Sequence, residues 1–235
     1  MRMKGTWPGL VTLRSGWAKA VARPWNEAGP DVALRLERGS AEFLVECVEH
    51  LCGLGAGLVL SPPVDPSSRQ VWVDAGFADH LALDLYSRSI LEPVAAPEWL
   101  ISVGTTDEWD RATTIDDAAF EGPWRMGRVG LEEARDATPR AVTLVAREGE
   151  TVIGFVIVGC AVATAYLQRL AVDPAHTRKG VGRDLVRAAV GWAAGQGAVR
   201  IVLNTQPDNR SAAALYRSEG FDVAAGALTV LARAC

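Results

Sequence analysis

Metal-ligating side chains are scarce. The 235-residue chain has three histidines and four cysteines. Cys47, Cys52, Cys160 and Cys235 form neither CxxC pairs nor a His/Cys set of zinc-site spacing. That argues against a metal site and against a disulfide framework, so four buried thiols in a reducing compartment are expected, with no metal. Long hydrophobic runs are also missing: the stretch Val152–Ala163 is strand-like and broken by glycine, far short of the ~20 residues of a spanning helix. Residues Met1–Leu13 carry Arg2 and Lys4 but no compact apolar block and no small-residue cleavage site, so a cytoplasmic chain with no membrane partner is expected. No charge of one sign dominates. With a net charge of −4 there is no overall drive toward nucleic acid, and none is expected as a partner, although a local basic cluster can still bind phosphate.

What is present is a core. Apolar residues make up 49% and charged residues 22%, the balance of a folded chain, and the length suits one large domain or two small ones. Residues 92–98, Glu-Pro-Val-Ala-Ala-Pro-Glu, form a proline-marked joint, which predicts a boundary there, with units 1–98 and 99–235. After it the pattern predicts a strand at Trp99–Val103, helices at Asp107–Phe120 and Leu131–Ala137, and strands at Ala141–Arg147, Thr151–Gly159 and Ala165–Val172. A helix from Gly180 to Gln196, a strand at Val199–Leu203, a helix at Ala212–Ser218 capped by Asp208 or Asn209, and a final strand at Phe221–Ala234 complete the order βααβββαβαβ.

The first part carries a weaker copy of the end of this pattern. A helix at Ala41–Leu54 precedes Val59-Leu60-Ser61-Pro62-Pro63 and Val71-Trp72-Val73-Asp74-Ala75-Gly76-Phe77, and a strand at Leu81–Arg88 follows. With one gap these align with Val202-Leu203-Asn204-Thr205-Gln206 and Leu215-Tyr216-Arg217-Ser218-Glu219-Gly220-Phe221, which reads as a partial internal repeat.

Two segments carry chemistry. In Leu170-Ala171-Val172-Asp173-Pro174-Ala175-His176-Thr177-Arg178-Lys179-Gly180-Val181-Gly182-Arg183, a strand feeds a glycine-bearing turn that opens a helix. Backbone N–H groups and the positive helix end then converge, a place for a pyrophosphate or simply a tight turn with solvated cations. Gly180 and Gly182 clear space, and Arg178, Lys179 and Arg183 add charge. No Gly-Lys-Ser/Thr follows, and position 185 is Leu185 rather than the third glycine of a dinucleotide fingerprint, so neither a P-loop nor a Rossmann turn fits. The second segment runs from Asn204 through Asn209 and Leu215-Tyr216 to Gly220-Phe221.

Together the two segments resemble the GNAT acyltransferases, in which an RxxGxG turn is followed, one helix and one strand later, by an Asn…Ala…Leu-Tyr…Gly-Phe segment. The resemblance covers Trp99 to the C-terminus and faintly the repeat. It implies an α/β (α+β) GNAT fold, a mixed, mostly antiparallel sheet flanked by helices, preceded by a partial unit. It further implies acetyl-CoA as co-substrate, with the strand at Leu170, Ala171 and Val172 pairing with pantetheine, amides from Arg178, Lys179, Gly180, Val181, Gly182 and Arg183 holding pyrophosphate, Asn209 against the cofactor or capping its helix, and Tyr216 near the sulfur as proton donor. The acceptor is then a primary amine, on a small molecule or a protein N-terminus.

Thr177 departs from the family's Arg or Gln, and Asn204 stands where some members carry a glutamate base. Glu121 or water then serves as base, or the amine is already partly neutral. Phe120 and Trp124 resemble the Phe…Trp loop of ribosomal-protein N-terminal alanine acetyltransferases, and Gln168 and Arg169 are further acceptor-side candidates. The first part has Trp72 in place of Tyr216 and no RxxGxG turn, so it is expected to be degenerate and non-catalytic, as in tandem GNAT enzymes. His50 and His80 are read as structural, and His176 as solvent- or phosphate-facing. The alternative function is a non-catalytic acyl-CoA sensor or interaction module. The sequence leaves the oligomeric state open, a homodimer included.

Overall fold

The computed structural model describes residues 1–25 and 29–235. The chain forms two compact units, Met1–Asp84 with Gly226–Cys235, and Leu85–Ala225. This geometric division precedes the proline-marked joint and gives the end of the last strand to the first unit; the division into a non-catalytic 1–98 and a catalytic 99–235 is a proposal about roles.

In the first unit, β1 (Arg2–Lys4), β2 (Val11–Ser15), β3 (Ala18–Pro24) and β4 (Val32–Arg38) pair antiparallel in order. Val11, Leu13, Ala20, Ala22, Val32 and Leu34 alternate inward, as period-2 strands require. They pack on α1 (Ala41–Gly53), which turns Phe43, Leu44, Cys47, Val48 and Leu51 to the same core. α1 crosses over to β5 (Leu58–Leu60), which lies parallel to β4. Residues 232–234 pair with the other edge of β5. α2 (Gln70–Asp74) and β6 (Ala78–Ser89) follow.

The expectation of four free thiols is corrected here. Cys52, in the last turn of α1, is disulfide-bonded to Cys235, with Cα atoms 5.3 Å apart. The final strand brings Cys235 to this place, where its N–H donates to the Gly57 carbonyl at 3.1 Å. A sequence separation of 183 lies outside any spacing rule. Cys47 and Cys160 are buried and free, and burial pushes the Cys47 thiol up to about 12, which makes it unreactive.

The second unit opens with β7 (Leu100–Val103), α3 (Trp109–Ala119) and α4 (Gly127–Asp136). α4 begins a turn earlier than the sequence pattern predicts. β8 (Arg140–Glu148), β9 (Thr151–Ala161) and β10 (Thr164–Val172) form an antiparallel meander, then α5 (Val181–Gly195) returns the chain to β11 (Arg200–Thr205), parallel to β10. α6 (Arg210–Ser218) and β12 (Asp222–Ala234) close the chain. β9 is buried along nearly its whole length because helices cover both faces. Ile153, Val156, Val158 and Cys160 meet α5 on one side, and Val152, Phe155 and Ile157 meet α3 and α4 on the other. Gly154 lets α5 approach closely: a Cβ there would stand 3.1 Å from Leu185 Cδ1 and 3.2 Å from Val181 Cγ1.

The repeat is legible in hydrogen bonds. Phe77 N–H donates to Trp72 O and Phe221 N–H to Tyr216 O, each at 3.0 Å, while Gly76 and Gly220 donate to Val73 O and Arg217 O. Both glycines are left-handed, at φ +83° and +79°. Each short helix therefore ends in the same Schellman-type cap, and Trp72 in the first unit takes the position of Tyr216 in the second.

Candidate active site

The site begins with two strands that separate. β10 pairs with β9 as far as Val172↔Gly154, but with β11 only from Thr164↔Arg200 to Tyr166↔Val202. Beyond Tyr166 one edge of β10, through Leu167, Leu170, Ala171 and Val172, faces a gap instead of a strand. A backbone edge inside a fold still requires hydrogen-bond partners, so the gap suits an extended ligand with amide groups. A bulge between Leu167 and Arg169 turns the strand at the mouth of this gap, as bulges do where a side chain is re-aimed.

At the C-terminal end of β10, Asp173 fixes the turn. Its carboxylate accepts Ala175 N–H at 2.9 Å and pairs with Arg111. These bonds, with that from the Ala175 amide the largest, hold its pKa below the usual carboxylate value. Arg178 (φ +65°) and Gly180 (φ +86°) both take left-handed conformations, bending the chain into the first turn of α5. The Asp184 amide is the first to be used within the helix, bonding Gly180 O at 3.1 Å. The amides of Val181, Gly182 and Arg183 precede it and have no intrahelical acceptor, the usual condition of a helix start. No atom comes within 4 Å of a Cβ placed on Gly180. Open space, orphan amides and the positive helix end together fit a diphosphate. Cationic side chains contribute unequally: Arg178 and Lys179 are exposed, whereas Arg183 pairs with Glu219 at 3.2 Å, so its amide rather than its guanidinium faces the task. Thr177 Oγ1 donates to Pro174 O. His176 sits 3.2 Å from Glu148.

The turn is held from behind. Asp184, 3% exposed, accepts the amides of Glu98 and Trp99 at 2.7 and 2.8 Å, and Trp99 Nε1 donates to Lys179 O. The stretch before β7 is thereby tied to the start of α5, a connection with no signature in local sequence.

α6 comes close to the start of α5, with Leu215 Cδ2 3.4 Å from a Cβ placed on Gly182. Asn209 caps α6, accepting Ala212 N–H at 3.1 Å, and its amide nitrogen donates to Gln206, so the capping role is the one the geometry gives it. Tyr216 is 6% exposed, with Phe221 and Tyr86 at 5.9 and 6.1 Å between ring centroids. Burial pushes its phenol up to about 12, opposed by the positive charge of Arg169. Tyr216 is thus fully protonated at neutral pH.

Around Arg169, an acceptor-side candidate, the structure adds a residue that sequence reading missed. Asp116 on α3 is 0% exposed and takes Arg169 in a two-pronged pair, Nε–Oδ1 2.5 Å and Nη2–Oδ2 2.9 Å. The same guanidinium donates to Trp124 O at 2.7 Å and lies 3.5 Å over the Phe120 ring. Asp116 also accepts Met126 N–H. One ion pair therefore secures both ends of the 120–126 loop. Glu121 is exposed, and Asn204 is exposed on β11. Gln168 Oε1 is buried with no partner. Among the described residues no group of three or more His, Cys, Asp or Glu could hold a metal ion, and no helix is long and apolar enough to cross a membrane.

Comparison with known proteins gives a consistent picture. Residues 109–221 match the acetyltransferase (GNAT) family. The N-alpha-acetyltransferase RimI of Mycobacterium tuberculosis is 31% identical over 129 residues, covering 52% of this chain and 78% of that protein. An uncharacterized protein of Mycobacterium leprae, ML0378, is 32% identical over 139 residues, which are 56% of this chain and only 37% of that protein. The chain thus spans about a third of that relative's length. Among solved structures, a tandem GNAT protein from the clavulanic acid biosynthesis pathway shares the fold at a TM-score of 0.64, with 12% identity over 96% of this chain and 82% of that one. The separated strands, the glycine-started helix and the buried tyrosine sit inside the matched span, and the chain belongs to the GNAT acetyltransferase family.

Proposed function

We propose that the second unit transfers an acetyl group from acetyl-CoA to a primary amine, on a small molecule or a protein N-terminus. The observation that carries this reading is the early end of the β10–β11 ladder at Tyr166↔Val202. It leaves the β10 edge at Leu170, Ala171 and Val172 open toward the first turn of α5. Pantetheine then pairs with that edge, and the amides of Val181, Gly182 and Arg183 take the diphosphate, with Arg178 and Lys179 adding charge.

In the reaction a neutral amine forms a C–N bond at the thioester carbonyl, the C–S bond breaks, and the amine's proton passes to water. A backbone amide near Ala171 faces the developing oxyanion. Tyr216 donates a hydrogen bond to the departing sulfur. Its pKa of about 12 is well above the ~8.5 of an ordinary thiol. The phenol therefore stabilises thiolate by hydrogen bonding, and complete proton transfer is left to solvent. The loop clamped by Asp116 and Arg169 shapes the amine side. With no carboxylate at Asn204, the site favours an amine that is partly neutral at pH 7. An α-amine, of pKa ~7.7 to 8.0, meets that condition far better than lysine at ~10.4. The name of the M. tuberculosis relative supports the same acceptor class.

A cytoplasmic setting is part of this proposal. The Cys52–Cys235 disulfide pulls the other way, because disulfides persist mainly in oxidising compartments. Thiol release from acetyl-CoA, followed with a panel of amines and N-terminal peptides, tests the function. Release that depends on an α-amine supports it; acetyl-CoA binding without turnover on any amine would leave a sensor instead.

A further inference from the structure

The net charge of −4 conceals a strongly cationic sheet face in the first unit. The inward residues of β2 and β3 are Val11, Leu13, Ala18, Ala20 and Ala22. By alternation Thr12, Arg14, Lys19 and Val21 point the other way. The register sets Arg2 opposite Arg14 and Arg14 opposite Lys19, a row of three cations across three adjacent strands. Lys4 lies two residues along β1 on the same face, and Arg35 stands opposite Val21. The carboxylate on this face that forms ion pairs is Glu37, with Lys19 at 2.6 Å and Arg35 at 3.6 Å. Among the described residues Arg2, Lys4 and Arg14 have no ion-pair partner.

Like charges placed directly opposite on neighbouring strands repel. The core gains nothing from them, since it lies on the other face. The cations line a hollow of about 550 Å³ that also includes Thr12. At the tip of the β2–β3 hairpin, one pair beyond Arg14↔Lys19, Trp17 is 68% exposed. A row of cations beside a solvent-exposed indole is the combination that single-stranded nucleic acid uses: phosphates on the charges, a base stacked on the ring. An acidic peptide would satisfy the charges but has no use for the ring.

We propose that this face binds single-stranded nucleic acid, with phosphates along Arg2, Arg14 and Lys19 and beside Lys4, and a base on Trp17. The proposal is independent of the acetyl-transfer reading. The test is fluorescence anisotropy of a fluorescein-labelled oligouridine of about 20 nucleotides, long enough to span one such site, titrated with the full chain at low salt. Saturable binding is expected, at about 100 μM or tighter, since non-specific contacts give about 1 to 100 μM at physiological salt and strengthen at low salt. The paired variant R2Q/R14Q should bind at least about tenfold more weakly, with a salt slope shallower by about 1 to 1.5, from ~0.7 for each lost single-strand phosphate contact. W17A should bind about fivefold or more weakly, the loss of one stacked base. Thermal melting of R2Q/R14Q should match or exceed wild type, because a repulsive pair has been removed. No anisotropy change up to about 100 μM, two orders above the tight end of that range, overturns the proposal. Undiminished binding by R2Q/R14Q does the same. So does displacement by polyglutamate with W17A behaving as wild type, or retention on phosphatidylserine vesicles without retention on oligouridine.

Discussion

Asp116 and Arg169 form a two-pronged ion pair between α3 and the bulged strand β10, and that pair holds the loop at residues 120–126 through Trp124 O and Met126 N. Asp116 is fully buried and the Arg169 side chain 11% exposed. Replacing Asp116 by Leu strands a nearly buried guanidinium and should cost about 3 to 5 kcal/mol, whereas the double variant D116L/R169L should recover most of it. Urea unfolding measures both. In the double variant the loop loses its tether, so KM for the amine should rise more than kcat falls.

Under the proposed mechanism, Tyr216→Phe removes the hydrogen bond offered to the departing sulfur while keeping the ring. Turnover should fall by about 10²-fold, the low end of what losing one hydrogen-bond donor to developing negative charge costs. Calorimetric affinity for acetyl-CoA should stay near wild type. Unchanged turnover removes Tyr216 from the chemistry.

The same residue makes a stability prediction. Its folded pKa is about 12 against an ordinary 10.0, so the native state keeps a proton that the unfolded chain releases. The stabilisation is whole below pH 10 and is lost as pH rises through 12, by about 3 kcal/mol in all. Wild type should therefore lose stability relative to Y216F between pH 10 and 12, as read by chemical denaturation at each pH. Parallel curves would show that the phenol is not desolvated.

Gly180→Ala tests the turn. The penalty is conformational, since the residue sits at φ +86° with open space around its Cβ position, and should be about 1 to 2 kcal/mol in melting experiments. Affinity for acetyl-CoA should fall by at least about tenfold, equivalent to 1.4 kcal/mol, because the orphan amides of α5 are re-aimed.

The disulfide predicts a thiol count. Denatured, unreduced protein should react with a thiol reagent at Cys47 and Cys160 alone, and reduction should expose Cys52 and Cys235 as well. Cys52→Ser should cost about 2 to 5 kcal/mol, since it frees a long loop. Four thiols without reduction would contradict the pairing.

Much of the second unit was legible. The order βααβββαβαβ follows from β-branched runs, the 3.6-residue pattern of Val181, Leu185 and Ala189, and the Asn209 cap, all of which act locally. What stayed hidden depends on tertiary contact. The sequence pattern places a helix at Leu131–Ala137, yet α4 starts at Gly127, and its Leu131 and Ala134 pack on α3 and β9. Strands β1 to β4 were not read at all; β3 turns Ala18, Ala20 and Ala22 to the core, a weak apolar signal with low strand propensity. Asp116 sits beside Asp117 on a helix and looks solvated until the bulge in β10 turns Arg169 toward it. Net charge likewise conceals the row of Arg2, Arg14 and Lys19, which exists only once the register is set.

Hydrogen–deuterium exchange with and without acetyl-CoA addresses the central claim most directly, because it reports on backbone amides one segment at a time. Saturating acetyl-CoA should slow exchange in peptides covering Leu167–Val172 and Val181–Arg183, with Arg200–Thr205 responding less and β1 to β4 unchanged. Exchange unaltered in both of the first two segments would contradict an acyl-CoA seated between β10 and the start of α5.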